Sequence, residues 1–123
     1  RGIDPTPIRE FIMTGFNGVT KIGNAVCLPG DIVFGTTSGV LFIPSHLVED
    51  VVDGALKTKV KDIFGFEMIS QNRFTTAQID METWTQEMLD LLLTFIAEDE
   101  RGIPYREINW EKEYLAAKEG DEI

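Results

Sequence analysis

Two oppositely charged side chains, Glu67 and Arg73, flank an apolar segment that includes Phe66, Met68, Ile69 and Phe74. Taken out of water by such neighbours, a glutamate serves as a base, and an arginine clamps a carboxylate through its planar guanidinium. The same pair also reads as a surface salt bridge at the end of a helix. Other reactive types are scarce. His46 is the sole histidine and Cys27 the sole cysteine. A Ser-His-Asp triad, a two-His metal site or a Cys-His pair would therefore rest on single residues. His46 follows Ser45 and is expected at the surface, in the first turn of a helix. Cys27 lies in the apolar run Ala25–Leu28 with no adjacent cation to favour a thiolate, so it reads as a small buried hydrophobe. An intrachain disulfide and a two-thiolate zinc site are excluded.

The frame that must hold these residues is one domain's worth of chain, or part of one: 123 residues, 43 % hydrophobic and 26 % charged. Asp and Glu number 21 against 11 Lys and Arg, for a net charge of -10. Nucleic-acid binding needs a cationic surface, and an anionic membrane repels an acidic one, so neither partner is expected. No apolar run approaches the ~20 residues of a membrane-spanning helix. The thiol usage fits a reducing, cytoplasmic setting. Arg1-Gly2-Ile3-Asp4-Pro5-Thr6-Pro7 has no signal-peptide character and reads as a stiff extended segment from the interior of a longer chain.

The period of the sequence changes near Pro44. Before it, Val19–Ile22 and Ala25–Leu28 are expected as short strands joined by Gly23-Asn24, with Gly first, as a type II′ hairpin requires. Pro29-Gly30-Asp31 makes a tight turn. Ile32–Gly35 and Gly39–Ile43 follow as third and fourth strands; the last, apolar on both faces, is expected to be central in one antiparallel sheet. After it, Ser45 is an N-cap candidate. Leu47, Val48, Val51, Val52, Ala55, Leu56 and Val60 recur at helical spacing, which predicts a helix to about Lys59 packed on the sheet. Lys61–Ser70 continues it, or kinks at Gly65. Gln71–Glu82 stays ambiguous. Thr85 caps a helix over Gln86–Ala97, and Asn109 caps Trp110–Glu119, which Gly120 ends. From Glu98 to Ile123 nine acids face four bases. The fold class is mixed α/β, with a hairpin unit over 1–60 and a helical extension over 61–123.

The ordered set Pro29, Gly30, Asp31, Gly35, Gly39 and Pro44, followed by an amphipathic helix, resembles the family of the regulator of ribonuclease activity A. That family includes demethylmenaquinone methyltransferase-like proteins and 4-hydroxy-4-methyl-2-oxoglutarate aldolases. The resemblance covers roughly the first 60 residues. One departure stands out: Thr36-Thr37-Ser38 replaces the acids that many members carry between the two glycines. The chain also has no glycine-rich loop for S-adenosylmethionine.

The resemblance implies part of a swivelling β/β/α domain, assembled as trimers or hexamers. It implies a parent that cleaves a small 2-oxo acid with Mg²⁺ or another divalent metal, through an Arg-Asp pair after a glycine-rich loop. That pair belongs upstream of the segment matching Arg1–Pro7. These 123 residues then contain no catalytic, cofactor-binding or metal-ligating residue, and Glu67 and Arg73 are the candidates to complete a neighbour's substrate site. The alternative is a non-catalytic regulator that binds a ribonuclease-type protein partner, which the acidic charge suits.

Overall fold

The computed structural model describes residues 12–121. The expectation for Arg1–Pro7 lies outside them. The chain divides into two units, Arg1–Val48 and Glu49–Ile123. The boundary expected near residue 60 falls instead inside a helix.

The first unit carries four strands: β1 (Thr20–Ile22), β2 (Ala25–Cys27), β3 (Ile32–Thr36) and β4 (Gly39–Ile43). The mixed α/β class and the antiparallel hairpins hold. The single sheet does not: β1 pairs only with β2, and β3 only with β4. The first register sets Thr20 opposite Cys27; the second sets Ile32 opposite Ile43 and Phe34 opposite Leu41. Turn chemistry explains the first hairpin and the connection from β2 to β3. Gly23 has φ +60°, which the first central position of a type II′ turn requires. Gly30 has φ +87°, and Asp31 N–H closes that turn on the Leu28 carbonyl at 3.1 Å. The Asp31 carboxylate accepts the Leu28 N–H at 2.9 Å. β4, expected in the middle of a sheet, is an edge strand. Its two-faced apolar pattern is that of a buried strand, yet among the described residues no third strand joins it.

The second unit is helical: α1 (Val48–Ser70), α2 (Thr76–Ile79), α3 (Gln86–Glu98) and α4 (Glu111–Asp121), with a 3₁₀ segment at Glu100–Tyr105. Ser45 is not the cap of α1. It lies in a 3₁₀ turn, Ser45–Leu47, preceded by Pro44 with no capping side chain. The helix carries on beyond Lys59, as the reading of Lys61–Ser70 expects. It runs on through Gly65 without a break, and its buried residues are Val60, Phe64, Gly65 and Met68. Gly65 is there for space: a Cβ would stand 2.6 Å from Ile79 Cγ2. Asn72, at φ +54°, ends the helix in the left-handed region. The ambiguous stretch resolves into α2, opened by a Thr75–Gln78 capping box.

Thr85 caps α3 as expected, accepting the Met88 N–H at 3.3 Å. The far end of α3 is closed by Arg106, which donates to the Ile96 and Ala97 carbonyls at 3.1 and 2.9 Å. Asn109 accepts the Glu111 N–H at 2.8 Å, but α4 begins at Glu111 and continues past Gly120. Lys57 ties α1 to α4, reaching Asp53 at 3.1 Å and Glu113 at 3.0 Å. Burial opposes its charge, but these two carboxylates prevail and raise its pKa.

The whole hydrophobic core belongs to this unit. Val60, Phe64, Met68, Trp84, Met88, Leu89, Leu92, Ile96, Trp110 and Ala117 form it. None of the described residues before Glu49 is buried. Gly54 lies in α1 with open space where a side chain would project. Gly54→Ala is therefore expected to stabilise the protein by about 0.5–1 kcal/mol, read as a higher urea midpoint.

Candidate functional site

Among the described residues no ion pair joins the two residues singled out by sequence, Glu67 and Arg73. Glu67, on the last turns of α1, accepts from Gln71 Nε2 at 2.7 Å and from Arg101 Nη2 at 3.2 Å. Gln71 first, and then Arg101, hold its carboxyl below the usual range. A carboxylate so stabilised is a weak base, and it is half-buried rather than buried. The expectation of a buried basic glutamate is corrected on both counts. Arg73 follows the left-handed turn, with its backbone N–H donating to the Met68 carbonyl at 2.9 Å. Its side chain lines a cleft of about 280 Å³ together with Phe64, Met68, Leu91, Thr94, Phe95, Glu98 and Asp99. Glu67 is not part of that lining. Among the described residues Arg73 has no ion-pair partner.

The ionic centre that does form was not foreseen. Arg101 donates to both oxygens of Asp99, at 2.9 Å each, and caps the face of the Phe95 ring at 5.1 Å. Asp99 also accepts the Arg101 backbone N–H at 2.8 Å. These bonds pull the Asp99 pKa down to about 2. The only sequence signal was an acid two residues before an arginine, which is common. A depressed carboxyl pKa stabilises the fold above the unfolded carboxylate range, ~4, and that contribution is lost as pH falls towards the folded value. In melting curves, Arg101→Gln should lower Tm at pH 6, and the gap to the parent chain should close towards pH 2.

The remaining singletons stay apart. His46 is exposed on the 3₁₀ turn. Cys27 on β2 is half-buried, not buried as expected; its thiol points to the Leu28 carbonyl at 3.8 Å. Among the described residues no three His, Cys, Asp or Glu side chains gather as a metal site. The divalent metal implied by the resemblance therefore finds no fitting donor set there. No helix among the described residues is long and apolar enough to cross a membrane.

The larger concavity lies on α3 and α4. This groove, about 650 Å³, is walled by Leu93, Ile108, Trp110, Tyr114 and Leu115, with Gln86, Glu111 and Lys118 at its edges. Tyr114 is fixed by donating to Asp90 Oδ1 at 2.6 Å. Burial and then Asp90 raise its pKa to about 12. Trp84 donates its indole N–H to the Ile79 carbonyl at 3.0 Å, whereas the buried indole N–H of Trp110 has no acceptor among the described residues. A mostly apolar wall with a few polar groups suits binding.

Comparison with protein-family models, with curated proteins and with solved structures finds no match for this chain.

Proposed function

We propose that this chain supplies contacts rather than chemistry to a cytoplasmic, homo-oligomeric protein of the 2-oxo-acid lyase type, whose Arg-Asp pair and divalent metal lie outside these 123 residues. The observation that carries this reading is the uncovered hairpin unit. Ile32, Val33, Phe34, Val40 and Leu41 are all 47–61 % exposed. Two-stranded hairpins are marginal alone, and apolar residues on both faces call for cover on both. A second copy is the cover proposed. The positive φ at Gly30 and Gly39 agrees with the turn pattern on which the resemblance rests. The reading is tested by a steady-state assay of the 123-residue chain with a 4-hydroxy-2-oxo diacid and Mg²⁺. No turnover above background is expected; turnover abolished by a chelator would place the catalytic residues within the chain.

A second reading, the protein-binding regulator of a ribonuclease-type partner, is favoured by how charge is distributed. Residues 1–48 carry three acids and three bases, whereas residues 49–123 carry eighteen acids and eight bases. All of the net charge thus lies in the helical unit, where it attracts a basic protein segment and repels nucleic acid.

A further inference from the structure

We infer that the groove between α3 and α4 is a docking site for a basic amphipathic helix of another protein. This rests on the docking reading given second above and names its surface. The groove is lined from Gln86 to Leu93 of α3 and from Glu111 to Lys118 of α4, each a span of ~12 Å, so it matches two to three turns of a helical segment. Its wall offers Leu115, 63 % exposed, and Leu93, 36 % exposed, beside Trp110 and Tyr114. Apolar side chains at i, i+3, i+4 and i+7 of an incoming helix fill such a wall.

Charge selects the occupant. The unit that bears the groove holds the full -10 of the chain. Half of its eight cations are already engaged. Lys57 and Arg101 are in ion pairs, Arg106 caps α3, and the Lys61 ammonium stands 4.6 Å over Trp84. The acids that remain repel a second copy of this unit and any anionic surface, and they complement lysines and arginines on the outer face of a docked helix. Trp110 forms part of the wall, so its environment changes when the groove fills.

The test uses the 123-residue chain and three labelled peptides roughly 14 residues long: a Leu/Lys amphipathic helix, a scrambled peptide of the same composition, and a Leu/Glu version of the first. Fluorescence anisotropy should show the Leu/Lys helix binding about tenfold more tightly than the scrambled peptide, more weakly as salt rises, and the Leu/Glu helix not binding. Leu115→Asp should weaken binding about tenfold although it adds an anion, because only the apolar wall is damaged. The parent chain supplies a readout independent of any variant. The Trp110 indole N–H resonance should move on binding, and that of Trp84, bonded to Ile79, should not. Unchanged affinity in Leu115→Asp with an unmoved Trp110 signal overturns the groove and leaves charge-driven docking standing. No binding of either lysine peptide overturns both.

Discussion

Phe64→Ala is expected to destabilise the protein by about 3–5 kcal/mol, a large part of the ~5–15 kcal/mol that holds a typical domain together. Phe64 is 1 % exposed and lies in the C-terminal half of α1. Its ring meets Trp84 at a centroid distance of 5.8 Å and Phe95, edge-on, at 5.7 Å. Truncation removes both aromatic contacts and leaves a cavity that α1 and α3, already fixed by their neighbours, fill only in part. Urea unfolding followed by tryptophan emission reads the loss directly. A change below about 1 kcal/mol would mean that the helical unit is not organised around this residue.

Gly102→Ala is the second large effect, about 2–3 kcal/mol. Gly102 is buried in the 3₁₀ segment that follows α3, with its N–H on the Asp99 carbonyl at 3.0 Å. An added Cβ would stand 2.4 Å from Ile96 Cα, 2.5 Å from its carbonyl oxygen and 2.8 Å from its carbonyl carbon. All three are backbone atoms of α3, so relief requires the segment itself to move. Gly65→Ala is the informative contrast, since it meets only side-chain atoms of Ile79, with Cγ2 nearest at 2.6 Å. Rotation of that side chain should limit the cost to about 1 kcal/mol. The same unfolding experiment ranks the two, and an equal or reversed order would contradict this packing.

Local chemistry was legible wherever it acts over a few residues. The Gly23 and Gly30 turns, the Thr85 cap and the Asn109 cap each depend on one side chain or one backbone freedom, and each was readable from residue type. What depended on distant partners was not. Apolar residues on both faces of Gly39–Ile43 demanded cover, which sequence reading supplied from a four-stranded sheet and from the face of the following helix. The helix extends to Ser70 and spends Val60, Phe64 and Met68 on a core with α3 and Trp110. Periodicity marks which residues seek burial; it does not say against what. The site suffered in the same way. Glu67 and Arg73 are near in sequence but form no ion pair, and Glu67 finds Arg101, 34 positions away. The groove was legible only as two apolar faces, Met88 to Ile96 and Trp110 to Leu115; that these leave a wall open between them is a property of packing.

The central claim is that the hairpin unit, none of whose described residues is buried, is completed by another copy of the chain, while the helical unit is self-sufficient. Amide hydrogen exchange at low and at high protein concentration tests both halves in one measurement. The account predicts slow exchange over Val60–Met68 and Met88–Ile96 at both concentrations. It predicts rapid exchange over Ile32–Ile43 in dilute solution that slows markedly as concentration rises. Hairpin amides that are as protected as the helical core in dilute monomer, or that stay unprotected at every concentration, would contradict it.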